Sequence, residues 1–363
     1  MQPDCQVIVP LCLYNFPVHT YAHNLLRLKR GHRTLDPRLA IYYVTTHCNL
    51  NCTYCEDFGV RRNVEAVNST LEAAKQILDI IRGGVPNLWL TGGEPLLVPH
   101  ILDLLTYARQ DLNFREVSLI TNGTLLSEHL NLLPLLDRLI ISLDSTNPAV
   151  LASVSLPTAQ AETVTAAVKA TASLQKQLGF KLILNAVITP ETLTGMEALI
   201  EFCTAHSILL SFSPQAVNNW PHYDLLTSPE YRTFIERALV LKKRGAPILG
   251  STAYLKLLLE GKPYECYPTI IPRITPDGWL IYPCLPMEKD GGEQGGRPVN
   301  LREVTHWDEA WETAQRIYGE APSSCTSCFQ QCYAEPSLMG ARPLTWMWER
   351  IRTGIDLGTY APG

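Results

Sequence analysis

Between residues 40 and 214, short apolar runs alternate with longer stretches in which apolar positions recur every three or four residues. The runs are AIYYVTT (40–46), NLWLT (87–91), EVSLITN (116–122), RLIISLD (138–144), FKLILNAVIT (180–189) and ILLSFSP (208–214). Several are apolar at nearly every position, as a strand covered on both faces requires. The intervening stretches read as helices. In LEAAKQILDIIRGG, Leu71, Ala74, Ile77, Leu78 and Ile81 share one face, and Gly83-Gly84 supplies a stop. Six strand-then-helix units in series predict a parallel sheet with right-handed crossovers. Eight are needed to close a full barrel, so the expected fold is α/β, a partial (β/α)6 TIM-like barrel that stays open.

Past residue 262 the pattern changes to Pro- and Gly-rich segments, small hairpins and cysteines. RITPDGWLIYPC reads as a hairpin around Asp277-Gly278, KDGGEQGGRPVN (289–300) as a loop, and HWDEAWETAQRIYG as a helix stopped by Gly319. The expected division is 1–37 as a helical extension, 38–261 as the barrel, and 262–363 as a small auxiliary domain with a C-terminal helix. VHTYAHNLLRLKRGHR reads as a basic amphipathic helix, which caps one barrel end or touches an anionic lipid surface.

Composition narrows the function classes. The chain has 363 residues, 46 % hydrophobic and 18 % charged, which describes a globular protein. With 30 basic and 35 acidic residues the formal net charge is -5, which argues against nucleic acid as a partner. No apolar run reaches the length of a membrane span. The N-terminus lacks a basic n-region and a clean cleavage site, so a cytoplasmic protein is expected, and a monomer.

Eleven cysteines change the picture. An odd number fits a disulfide framework poorly, and eight fall in two groups, which suggests metal or iron–sulfur ligation. Cys5, Cys12 and Cys203 read as incidental or packed thiols. In THCNLNCTYCEDFG, Cys48, Cys52 and Cys55 occupy one loop after the first strand. A structural zinc site wants four ligands, and the loop supplies three thiols with no fourth partner of its own. A 4Fe-4S cube held by three thiolates instead leaves one iron open to another molecule. The downstream set is Cys266, Cys284, Cys325, Cys328 and Cys332. By spacing alone, these paired pairs could hold zinc or an iron–sulfur cluster.

Cys-x3-Cys-x2-Cys with an aromatic residue before the last cysteine resembles the cluster motif of radical S-adenosylmethionine (radical SAM) enzymes. TGGEPLL (91–97) follows the second strand as that family's GGE motif does, and ITNGTLL and ISLDS follow in order. The resemblance covers residues 38 to 215. It implies a 4Fe-4S cluster on Cys48, Cys52 and Cys55, with S-adenosylmethionine on the open iron. It also implies backbone approach at Gly92 and Gly93, a carboxylate–ammonium pair at Glu94, and Tyr54 beside the adenine. Thr121, Asn122, Ser142 and Asn185, at the C-terminal ends of strands, become candidates for ribose and carboxylate contacts. The implied reaction is reductive cleavage to a 5′-deoxyadenosyl radical that abstracts a hydrogen.

The downstream cysteines resemble the family's SPASM or shorter twitch extension. That implies an auxiliary 4Fe-4S cluster on Cys266, Cys284, Cys325 and Cys328, two clusters in all, with the second accepting an electron. Cys332 stands outside that pattern as a replacement ligand, a thiol near the substrate, or a packed side chain. The expected substrate is a small biosynthetic molecule, the alternative a ribosomally made peptide, and the electron donor a flavodoxin or ferredoxin. A non-catalytic iron–sulfur or zinc protein is the competing class, and it leaves TGGEP without a reason. Trp220, His222 and Tyr223 are candidates to line a substrate cavity.

Overall fold

In the computed structural model the six apolar runs become six strands: β1 (Leu39–Tyr43), β2 (Asn87–Thr91), β3 (Glu116–Thr121), β4 (Arg138–Ser142), β5 (Lys181–Ile188) and β6 (Leu209–Pro214). The structure describes residues 18–55, 66–217, 220–289, 293–323, 325–326 and 328–341. Cys5 and Cys12 lie outside the described residues. Each strand pairs in parallel with the one before it. A short hairpin follows β6, made of β7 (Ala216–Val217) and β8 (Trp220–Pro221). Three later strands, β9 (Arg273–Ile274), β10 (Trp279–Tyr282) and β11 (Gly296–Asn300), extend the sheet beyond β1. The order is β11-β10-β9-β1-β2-β3-β4-β5-β6, so the C-terminal strands continue the barrel sheet at its first strand.

The near-continuous hydrophobicity of the runs is explained by burial on both faces. Along β1, Ala40, Tyr42 and the following Val44 pack into the large cluster under the helices. Leu39, Ile41 and Tyr43 join a second cluster with Trp89, Ile140 and Ile183, which fills the barrel interior. Burying each such side chain is worth about 1.5–3 kcal/mol, so neither face tolerates a polar alternation. Outside, the Leu71–Gly84 helix is capped by Thr70, whose hydroxyl accepts from the Ala73 N–H at 3.2 Å, and it buries Ala74, Ile77, Leu78 and Ile81.

That helix ends at Gly84, the stop that the glycine pair predicts. A Cβ on Gly84 would fall 2.0 Å from the ring of Trp307, so the glycine is required by the close approach of the Trp307–Tyr318 helix. The hairpin at Asp277-Gly278 is present, with Gly278 at φ +97°. The expected loop at 289–300 differs. Its last five residues form β11 and pair with β10, burying Val299 and Leu301 at the strand end. Gly and Pro obscure this strand because its hydrogen bonds, not its side chains, hold the outer edge. The Val18–Lys29 helix is docked on the barrel. Leu28 packs on the interior cluster, and Arg27 Nε donates to the Thr34 carbonyl at 2.7 Å. Among the described residues no helix is long and apolar enough to cross a membrane.

Candidate active site

The loops leaving the C-terminal ends of β1 and β2 lie against each other and are bonded through their backbones. Gly93 N–H donates to the Thr45 carbonyl and Glu94 N–H to the His47 carbonyl, each at 2.8 Å. An added Cβ would sit 2.5 Å from the Thr45 carbonyl oxygen at Gly92, and 2.1 Å from the His47 carbonyl oxygen at Gly93. The two glycines therefore let the loop after β2 press on the start of the cysteine loop, before any bound molecule is considered. Gly93→Ala should cost at least about 2 kcal/mol, since the clash is with backbone and cannot be relieved by a rotamer change. Denaturant unfolding of the apo-protein checks this, and an unchanged midpoint at equal slope would refute it.

Glu94 is fully buried behind this loop. Its Oε1 accepts from Leu96 N–H at 2.9 Å and from the Thr121 hydroxyl at 2.7 Å, while Oε2 accepts from Asn122 N–H at 2.7 Å. The carboxylate thus ties the loop after β2 to the end of β3, and the expected direct pair with an ammonium group would have to share it. Burial pushes its pKa up from 4.5 to about 7, with the three donors pulling the other way. A group raised in the folded state stabilises fully below its unfolded pKa and loses that contribution as pH climbs through the folded value. Cluster-free wild type should therefore lose about 3 kcal/mol between pH 5 and pH 8 relative to Glu94→Gln. Parallel pH dependences in urea unfolding would contradict this.

Asn122 has a similar tethering role. Its Nδ2 donates to Asn49 Oδ1 at 2.8 Å and its Oδ1 accepts from the Thr124 hydroxyl at 2.6 Å, fastening the end of β3 to the cysteine loop. On the other flank, Thr53 N–H donates to the Val154 carbonyl at 2.9 Å. The Tyr54 hydroxyl donates to Asp144 Oδ2 at 2.5 Å, and Asp144 Oδ1 accepts from Val187 N–H at 2.8 Å. Asp144 is buried, and that burial pushes its pKa up to about 6. Ser142 and Asn185, paired across β4 and β5, make no side-chain hydrogen bond among the described residues and face the interior.

These elements enclose a cavity of about 410 Å³. Cys48, Cys52, Cys55 and Tyr54 line one side, with Gly92, Gly93, Thr121, Asn122, Ser142 and Asn185 along the strand ends. Of the expected cofactor contacts, Glu94 alone does not reach the cavity surface. The C-terminal segment completes the lining with Arg273, Lys289, Gln330, Gln331 and Cys332. Trp220 and Tyr223 are 48 % and 74 % exposed, and with His222 they stand outside the lining. His222 instead caps the short helix Tyr223–Leu226, its Nδ1 accepting from Asp224 N–H.

The downstream cysteines come together around Cys332. Cys266, Cys284, Cys325, Cys328 and Cys332 share one cluster with Tyr264, Met287 and Tyr333. Cys266 N–H donates to the Cys325 carbonyl at 3.1 Å and Tyr264 N–H to the Thr326 carbonyl at 2.9 Å, so the two cysteine-bearing segments run side by side. Cys332 opens the helix Gln331–Ala341, lines the cavity, and accepts from Arg273 Nη2 at 3.0 Å. It is therefore not a packed side chain remote from the site.

The donor chemistry of both groups fits an iron–sulfur core. Burial first, then the Asp144 carboxylate and the neighbouring thiols, push Cys52 up to about 12. Burial and neighbouring thiols likewise push Cys328 up to about 12 and Cys284 further. Cys325 moves the other way, down to about 7, because Cys266 hydrogen-bonds to its sulfur, and a cationic core would compensate the charge of the thiolates together. Among the described residues no three His, Cys, Asp or Glu side chains converge as a single ion would need. A multi-iron core, which spreads its ligands over separate corners, does not need that convergence.

Comparison with known proteins agrees with this geometry. Residues 42–203 match the family model described as the radical SAM superfamily. The chain is 26 % identical over 258 residues to a probable GTP 3′,8-cyclase of Methanococcus aeolicus, covering 67 % of this chain and 83 % of that protein. It spans about a third of the length of several other curated relatives that it matches. Among solved structures, Streptococcus suis SuiB bound to S-adenosylmethionine superposes with a TM-score of 0.59 at 20 % identity, covering 82 % of this chain and 70 % of SuiB. Native anSMEcpe with bound S-adenosylmethionine gives 0.55 at 17 %, covering 78 % of this chain and 83 % of anSMEcpe. At these identities the likeness is one of fold.

Proposed function

We propose that this chain, whose residues 42–203 match the radical SAM superfamily model, is a radical SAM enzyme that acts on a small biosynthetic molecule, with S-adenosylmethionine as the source of the abstracting radical. The observation that carries this reading is the meeting of Cys48, Cys52 and Cys55 with Gly92, Gly93 and the free polar ends of β4 and β5 around one cavity. The three thiols would hold a 4Fe-4S cluster. When bound, that cluster supplies the electron that splits S-adenosylmethionine into methionine and a 5′-deoxyadenosyl radical. The protein's own part is orientation and exclusion of water. Tyr54 and Asp144 fix the cysteine loop against β5. Ser142 and Asn185 offer hydroxyl and amide groups to a ribose or carboxylate. The interior side chains Ile41, Ile140 and Ile183 keep the floor dry.

Cys266, Cys284, Cys325 and Cys328 would hold a second cluster, which when bound would supply an acceptor for an electron from the substrate radical. Supporting this is the crowding of the four thiols beside Cys332, which lines the cavity. Iron and sulfide content after anaerobic reconstitution tests it. About eight irons per chain are expected for two cubes, and about four with one zinc would leave the downstream site structural.

A second reading, maturation of a ribosomally made peptide, draws on one feature. Val217, Trp220, Tyr223 and Leu226 are exposed beside the cavity mouth, where Ala216 enters the lining. SuiB bound to its precursor peptide shares this fold at 18 % identity. Radical formation is common to both readings, so the substrate alone separates them.

A further inference from the structure

The charge of the cavity wall is uneven. Among the described residues lining it are Arg138, Arg273 and Lys289, and no Asp or Glu, in a chain whose formal net charge is -5. The two guanidinium groups share a level in the sheet. Arg273 on β9 is in register with Ile41, Ile41 with Trp89, Trp89 with Ser118, and Ser118 with Arg138 on β4. The two arginines therefore enter one cavity from different walls at one height.

Both are buried, at 6 % and 8 % exposure. Arg138 Nε meets Glu116 Oε1 at 3.1 Å, and that oxygen also accepts from Trp89 Nε1 and the Ser118 hydroxyl at 3.0 Å each. Arg138 Nη1 has no hydrogen-bond partner. A buried guanidinium nitrogen without an acceptor costs more than an ordinary hydrogen bond gains, so an acceptor is expected beside it. Arg273 donates from Nη1 to the Tyr43 hydroxyl and from Nη2 to Cys332 Sγ, and it lies against the rings of Tyr43 and Tyr333, at 5.9 and 5.3 Å, contacts that fix the plane of its guanidinium. Lys289 stands exposed at the rim.

We propose that the substrate carries an acidic group, carboxylate or phosphate, that docks between Arg273 and Arg138, with Lys289 steering it in. The inference rests on the functional reading above and adds the chemical class that the C-terminal wall selects. Guanidinium N–H groups are charged donors that carboxylate and phosphate oxygens accept. The cation at the rim raises the local anion concentration and the encounter rate.

Calorimetric titration of anaerobically reconstituted, unreduced protein saturated with S-adenosylmethionine, using sodium phosphate, sodium acetate and glycerol at fixed ionic strength, tests it. At least one anion should bind where glycerol does not, and the stronger of the two identifies phosphate or carboxylate. Its affinity should fall about tenfold or more in Arg273→Gln and in Arg138→Gln, as loss of a charged hydrogen bond implies. Should either variant fail to fold, Lys289→Gln, at an exposed position, decides the matter by weakening anion binding and its salt dependence. The proposal is overturned if neither anion exceeds glycerol, which leaves water as the partner of Arg138. It is equally overturned if binding survives the substitutions. Assaying 5′-deoxyadenosine in the same wild-type preparation separates the two levels. Its formation without anion binding removes only this inference, whereas its absence removes the functional reading beneath it.

Discussion

Cys52→Ala is expected to form no 5′-deoxyadenosine above background when reduced with dithionite and supplied with S-adenosylmethionine. It should also lose about four of about eight irons, because two thiolates cannot hold a cube that already lacks a fourth protein ligand. The effect should be complete rather than graded. Cys52 stands in the middle of a loop fixed at Thr53 and Tyr54 and bonded to its neighbours at Asn49, so no other thiol can swing into the vacated corner. Product from well-reconstituted Cys52→Ala would mean that the radical is generated elsewhere.

Cys328→Ala should behave differently. Cys266, Cys284, Cys325 and Cys328 stand outside the cavity lining, clustered with Tyr264, Met287 and Tyr333. The variant is expected to retain measurable cleavage of S-adenosylmethionine while losing turnover of the substrate, and to hold about four irons. Full substrate turnover in Cys328→Ala would reduce the downstream site to a structural role. Loss of cleavage together with intact iron content would show that the two sites act as one.

The cysteine loop was readable because the chemistry proposed for it leaves little freedom. Three thiols must reach one object from a short loop, so their spacing survives in the sequence, and TGGEP follows at the next strand end. The six strands were readable because burial on both faces makes them apolar throughout. Other features carry no such mark. Arg138 and Arg273 look like ordinary strand-end charges, and only the pairing of β9 with β1 brings Arg273 into the barrel at the level of Arg138. Glu94 reads as a ligand-binding carboxylate, but its three protein donors come from Leu96, Thr121 and Asn122, a network that no local pattern announces. Trp220 and Tyr223 suggested a pocket by their size alone, and the turn that follows β6 leaves them facing solvent. β11 was hidden because its glycines and proline have weak strand preference, and its place depends on a partner strand 14 to 21 positions earlier along the register.

The account depends on an iron that the protein leaves without a fourth side chain. Electron paramagnetic resonance of the dithionite-reduced protein, recorded before and after adding S-adenosylmethionine, reports on that iron directly. A changed cluster signal on addition is the result predicted here. An identical signal, from protein with full iron content, would contradict it.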